Sequence, residues 1–309
     1  MKNIQNIKRF ILILILFSSV IARAQMEPLL SQYMMNGMII NPAYTGADEY
    51  TQVNFTASDQ WVGLANPPRT YWGNFETSLM DKKIGLGGII YSDRDGLLIN
   101  SGIQINYAYH ILLKNKMKLS LGLYTNFNQL KLDKADAQVS DITDPILNGS
   151  NVRIYGPDAG LGVLLKNNMF FAGFSINQLF KSGLNIERNE LSGYTTDRYF
   201  YLVGGSNHSI NNDFLISPSV LIKTPQNLNL QADISTKVTY KGQFWGGLTY
   251  RTNNDIIVFV GVIYKQFNIG YAVDFTTSEI RTHTYGSHEI SISIMFGKSA
   301  QRFKQQKDY

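Results

Sequence analysis

The chain contains no cysteine, three tryptophans and only four histidines. Without cysteine there is no disulfide and no lipid-modified N-terminal cysteine, so an exported form must be stabilised by a closed hydrogen-bonded sheet or a large core. The histidines (His110, His208, His283, His288) lie far apart, without an H-E-x-x-H motif or Cys/His spacing, which argues against a zinc centre. Long apolar runs are also lacking. After residue 25 no stretch reaches the roughly 20 residues of a spanning helix, although 44% of the chain is hydrophobic. Such a chain either stays soluble or crosses a bilayer as a barrel of strands.

An excess of charge of one sign is missing too. Of 28 basic residues, Lys2, Lys8, Arg9 and Arg23 fall in the N-terminal segment, leaving 24 bases against 23 acids. The rest of the chain therefore has no electrostatic footprint for nucleic acid or for an acidic partner. That N-terminal segment reads as a secretion signal over residues 1–24: a basic start, an apolar core from Phe10 to Ile21, and Ala22-Arg23-Ala24 as an A-x-A cleavage site. Cleavage there leaves Gln25 as the mature N-terminus.

What the chain does have is alternation. Leu97, Ile99, Ser101, Ile103, Ile105, Tyr107, Tyr109 and Ile111 share one face, and Asn100, Gly102, Gln104, Asn106, Ala108 and His110 share the other. This is the dyad of a strand with lipid on one side and a polar lumen on the other. It recurs from Leu228 to Val238, with Asn229, Gln231, Asp233, Ser235 and Lys237 on the polar face. The pattern predicts fourteen strands, at about 51–58, 69–79, 84–92, 97–112, 117–131, 158–165, 169–177, 198–206, 214–223, 227–240, 244–251, 256–264, 267–275 and 287–296. The predicted fold is all-β, a transmembrane antiparallel barrel over residues 51–296.

The connections sort by parity. Short basic turns such as Met80-Asp81-Lys82-Lys83, Lys114-Asn115-Lys116, Lys241-Gly242 and Lys265-Gln266 fall at one end, assigned to the periplasm. The long loops 59–68, 132–157 and 178–197 fall at the other, assigned to the outside. Seventeen Phe and eighteen Tyr suit interfacial girdles, and Tyr109, Tyr240 and Tyr264 lie near strand ends beside the basic turns. The final strand turns Ile290, Ile292, Ile294 and Phe296 outward and Glu289, Ser291, Ser293 and Met295 inward. Residues 297–309 form a basic tail expected in the periplasm.

Catalytic signals are weak. Gly204-Gly205-Ser206 lacks the second glycine of a nucleophile elbow and sits in a strand. Gly85-Leu86-Gly87-Gly88 has no helix after it to complete a phosphate loop, and its glycines suit a strand that admits a close neighbour or plug. Asp93-Arg94-Asp95-Gly96 reads as a charged hairpin turn, since a calcium loop needs more acids. Asp133, Asp136, Asp141 and Asp144 read as a solvated loop, with a divalent-ion role as the alternative. A hydrolase would have only His110 and Ser120 to work with. No metal or other cofactor is implied.

The segment before the first strand has no counterpart in barrel physics. Ser31-Gln32-Tyr33-Met34, then Ile40-Asn41-Pro42-Ala43-Tyr44-Thr45-Gly46, Gln60-Trp61-Val62-Gly63 and Pro67-Pro68-Arg69-Thr70 resemble the signature of the PorP/SprF family. The likeness continues through Gly85-Leu86-Gly87, Tyr107-Ala108-Tyr109 and His288-Glu289-Ile290. Asn36-Gly37-Met38 departs from the family's Asn-Pro-Leu, as does the opening Gln25-Met26-Glu27-Pro28. The resemblance implies an outer-membrane protein of the type IX secretion and gliding-motility systems. Its partners would be a secreted adhesin-like cargo with a type IX C-terminal sorting domain, periplasmic secretion or motility subunits, and outer-membrane lipid. It singles out Ser31, Gln32, Tyr33, Asn41, Pro42, Ala43, Tyr44, Gly46, Gln60, Trp61, Gly63, Pro68 and Arg69 as signature or partner-binding positions. Residues 25–50 are expected to form a plug or docking element at the periplasmic mouth. A passive diffusion channel for small solutes, drawing on the polar lumen face, is the alternative function.

Overall fold

The computed structural model describes residues 30–48, 50–133, 152–180, 197–226, 230–252 and 255–297. The signal segment, Gln25, the tail beyond Gly297, most of the loops 132–157 and 178–197, and Asp136, Asp141, Asp144, Leu228 and Asn229 lie outside the described residues. Among the described residues no helix is long and apolar enough to cross a membrane.

Fourteen strands of eight or more residues form one antiparallel sheet. They are β1 Thr51–Asp59, β2 Arg69–Leu79, β3 Ile84–Asp95, β4 Leu98–Leu112, β5 Lys118–Leu132, β6 Val152–Lys166 and β7 Phe170–Asn177. The second half comprises β8 Tyr199–Ser206, β9 Phe214–Pro225, β10 Gln231–Tyr240, β11 Phe244–Arg251, β12 Asp255–Tyr264, β13 Phe267–Thr276 and β14 Ser287–Phe296. A two-residue bridge, His208–Ser209, continues β8 against Leu215 and Ile216. Each strand pairs with its sequence neighbours, and β1 pairs with β14 from Thr51↔Phe296 to Asp59↔His288. The sheet is a closed barrel, so no backbone edge is left open along this seam.

The faces follow the alternation in the sequence. Along β4, Ile103, Ile105 and Tyr109 are exposed, while Gln104, Asn106, Ala108 and His110 are buried. On β14, Glu289, Ser291, Ser293 and Met295 point inward, and Ile290, Ile292 and Phe296 outward. This inversion, with apolar groups outside and polar groups inside, is what lipid imposes on a barrel. Aromatics band both strand ends: Tyr71, Phe127, Tyr155 and Tyr250 toward the long loops, and Tyr109, Tyr240, Tyr264 and Phe296 toward the short turns. At the turn end Lys241 and Lys265 lie over the rings of Tyr240 and Tyr264, 5.1 and 5.4 Å from the centroids.

Two strands run well past the ends expected from the alternation. β6 begins at Val152 rather than 158, running through Gly156 and Pro157. β7 pairs with β6 only from Leu161 to Lys166, so Pro157 sits beyond the last β7 partner, where a missing N–H is tolerated. β3 extends to Asp95, which shrinks the expected charged turn to Gly96 (φ 60°) and Leu97.

Candidate functional site

The segment between Leu30 and Asp48 lies inside the barrel. It contains a 3₁₀ turn at Tyr33–Met35, one turn of α-helix at Gly37–Ile40 and a second 3₁₀ turn at Pro42–Tyr44. Asn41 caps the last of these: its Oδ1 accepts the Ala43 N–H at 2.9 Å, and Pro42 occupies the first position, where its missing donor costs nothing. The same amide donates to the carbonyls of Val163 and Phe174, at 3.1 and 3.3 Å, so one residue shapes the segment and ties it to β6 and β7.

The wall beneath this turn carries only small residues. Ser78, Gly85, Ala108, Gly122, Gly162 and Ser175 are successive cross-strand partners on the lumen face from β2 to β7. A Cβ on Gly85 would stand 1.8 Å from the Thr45 carbonyl oxygen, one on Gly122 2.2 Å from the Ala43 nitrogen, and one on Gly162 2.0 Å from Asn41 Oδ1. Ser175 donates to the Ile40 carbonyl at 2.6 Å. The Asn41–Gly46 run thus rests on a shelf of glycine backbone and small side chains.

Carboxylates hold both ends of the segment. Glu289 on β14 accepts the N–H groups of Ser31 and Gln32, each at 2.9 Å, through its two oxygens. Glu76 on β2 accepts the Gly46 N–H at 2.7 Å and the Gln52 amide at 2.8 Å. Gly46 has φ +64°, and a Cβ there would meet the Thr77 carbonyl at 2.7 Å. Tyr33 is buried between β9 and β10, its hydroxyl 2.9 Å from Ser219 Oγ and donating to Ser235 Oγ at 3.3 Å. Lys118 donates to the Ala47 carbonyl at 3.0 Å, and Lys166 pairs with Asp48.

Nearer the loop end is a buried ion cluster. The Arg251 side chain, 1% exposed, pairs with Asp233 at 2.8 Å and Asp274 at 3.1 Å, and donates to the Leu30 carbonyl at 3.2 Å. The alternation puts Asp233 on the lumen face, but no local pattern marks Arg251, whose partners lie 18 and 23 residues away.

The signature positions therefore fall into two groups. Ser31, Gln32, Tyr33, Asn41, Pro42 and Ala43 are buried in the lumen, with Tyr44 and Gly46 in the same turn. Gln60, Trp61, Gly63, Pro68 and Arg69 lie at the loop end. There, the Val62 N–H donates to the Gly286 carbonyl at 2.9 Å and the Tyr285 N–H to the Val62 carbonyl at 2.7 Å, so the loops 60–68 and 277–286 pair. Trp61 has φ 48° and its N–H reaches Ser287 Oγ at 3.1 Å. A Cβ on Gly63 would meet the Tyr285 ring at 3.0 Å. Gln60 donates to the Pro68 carbonyl at 2.9 Å, and Arg69 pairs with Asp59 at 3.4 Å. Tyr285 stands 82% exposed at the tip.

The remaining candidates have structural surroundings. His110 Nδ1 and Ser120 Oγ are 2.7 Å apart as a cross-strand pair, but Ser120 is fully buried, out of reach of a substrate. Asp133 pairs with Lys131 at 2.8 Å and Arg94 at 3.6 Å. Gly204, Gly205 and Ser206 end β8. Among the described residues no group of three or more His, Cys, Asp or Glu side chains is placed to hold a metal ion.

Comparison with known families gives one match across most of the chain: the model of the type IX secretion system membrane protein PorP/SprF covers residues 22–294. The chain belongs to the PorP/SprF family. It is an outer-membrane component of the type IX secretion system. No curated protein sequence matches it. Among solved structures, the Ralstonia pickettii toluene transporter TbuX aligns at 14% identity and TM-score 0.50, over 84% of this chain and 92% of that one. A Pseudomonas aeruginosa FadL homologue aligns at 10% identity and TM-score 0.49, over 83% and 92%. Acinetobacter baumannii Omp33 aligns at 7% identity and TM-score 0.47, over 82% and 100%. The TbuX likeness shows the barrel fold of this PorP/SprF protein and nothing of its ligands.

Proposed function

We propose that this PorP/SprF protein is a plugged platform that holds a secreted, adhesin-like cargo at the cell surface, and that it works through its rims rather than through an open pore. The observation that carries this reading is the occupied lumen. Residues 31–47 sit on the glycine shelf and are held by Glu289 and Glu76, so at their level the inner face is spent on the chain's own segment. The loop end is then the cargo side. Its paired loops present Tyr285 and the Trp61 turn on a rigid backbone, a pre-organised contact that costs little ordering entropy on binding. The turn end, with Lys82, Lys83, Lys114, Lys116, Lys241 and Lys265, faces the periplasmic machinery.

The test is a detergent pull-down of tagged protein from its native outer membrane under mild cross-linking, with mass spectrometry of what co-purifies. A large secreted protein carrying a type IX sorting domain is the expected result. Recovery of the barrel alone, together with steady conductance in planar bilayers, would leave the diffusion channel as the better reading.

A further inference from the structure

Below the plug, toward the short turns, the lumen is not filled. A cavity of about 360 Å³ extends from Met34 and Met35 of the plug to the turn residues Asn167, Asn207 and Gly242. That volume is within the range of small-molecule sites. Its walls are mixed: polar groups alternate with two apolar patches, Trp245, Ile263 and Met295 on one side and Phe171, Val203 and Leu215 on the other.

Most polar groups in these walls are already engaged. Ser219 meets Tyr33, Ser217 donates to Asn207, and Asn268 accepts the Trp245 indole N–H at 2.9 Å. Asn167 caps the β6–β7 turn through the N–H groups of Met169 and Phe170. The acids lining the cavity are Asp48, paired with Lys166, and Glu76, which takes the Gly46 and Gln52 donors. Lys237 differs. It shares the lumen face of β10 with Gln231, Asp233 and Ser235 and lines the cavity; Asp48 acts on its charge through space, yet among the described residues its ammonium has no direct hydrogen bond or ion pair. Its cross-strand neighbour on β11 is Gly247, so no side chain covers it from that strand.

A chamber with two apolar patches, most of its polar groups engaged and one cation without a direct contact partner suits an apolar body with one anionic group. A peptide fits poorly, because every residue brings a backbone donor and acceptor for which few partners remain. We propose that the turn-end chamber binds a single-chain amphipathic carboxylate, its head on Lys237 and its chain between Trp245 and Phe171. The site opens at the short turns, so the ligand enters from the side opposite the paired loops. This inference is independent of the cargo reading.

Trp245 supplies the reporter, since Trp61 lies in a loop at the other end and Trp72 on β2. Full-length mature protein in lipid nanodiscs would be titrated with a brominated dodecanoate while tryptophan emission is followed. Saturable quenching is expected, absent in Trp245→Phe and weakened about tenfold or more in Lys237→Gln, as for loss of a hydrogen bond to a charged group. Lys237→Arg should retain binding, and brominated dodecanol should bind the wild type no better than the acid binds Lys237→Gln. Quenching that rises linearly with membrane loading, survives Trp245→Phe, or is unchanged in a folded Lys237→Gln barrel would overturn the proposal. Equal binding of acid and alcohol would do the same.

Discussion

A Cβ on Gly122 would stand 2.2 Å from the backbone nitrogen of Ala43, so the plug and the barrel wall meet with no side chain between them. A valine at Gly122 or Gly162 removes that seat without altering the lipid face. Gly122→Val is expected to leave a folded, heat-modifiable barrel in which residues 31–47 lose amide protection. Hydrogen exchange read by mass spectrometry checks this. Protection at wild-type level would show that the shelf does not hold the segment.

Deleting the plug should open the lumen. A variant lacking residues 31–47 is expected to conduct steadily in planar bilayers, where the intact protein does not. Single-channel recording decides it, and equal currents from both would mean that the plug is not the barrier.

The two N–H groups held by Glu289 are charge-assisted bonds, each worth about 1.5–3 kcal/mol. Glu289→Ala leaves both donors unmatched in a buried place, and exchange at Ser31 to Asn36 should rise by one to several orders of magnitude. Glu289→Gln, which retains an acceptor oxygen, should fall between.

Arg251 neutralises two buried carboxylates, and breaking such a cluster from one side costs about 3–5 kcal/mol. Arg251→Leu should therefore lower the urea midpoint of the barrel in liposomes. Adding Asp233→Asn and Asp274→Asn to it should recover much of the loss, because the stranded charges are then gone.

Ile105, 65% exposed on the lipid face of β4, tests the orientation of the wall. Ile105→Arg is expected to cost about 2–4 kcal/mol in a bilayer. Folding titrations in liposomes measure it, and an arginine tolerated without penalty would place that face elsewhere than in lipid.

The wall was legible in the sequence because lipid acts on every strand in the same way: Ile103, Ile105 and Tyr109 must face out whatever their neighbours are. Strand ends were less so. Gly156 and Pro157 look like a stop and are not one, since the upper part of β6 has no β7 partner that would need its donors. The plug's seat was only half visible. Gly85, Ala108, Gly122 and Gly162 all fall on the polar parity of their strands, but that they form one row depends on registers set from β3 to β6. Arg251 shows the limit most plainly. Nothing local marks it, and its role exists only once β10, β11 and β13 lie side by side.

The seam between β1 and β14 has a further consequence for how the molecule is made. The plug is tethered to the first strand, yet its far end is held by Glu289 on the last, 257 and 258 positions away in the chain. During biogenesis, Ser31 and Gln32 gain their acceptor only when the final strand arrives. A chain lacking β14 would leave the Ser31–Gln32 end of the plug without its acceptor in an unclosed sheet. Complete seating of the plug therefore requires the last strand, and the same carboxylate that anchors this end reports that the cylinder has shut.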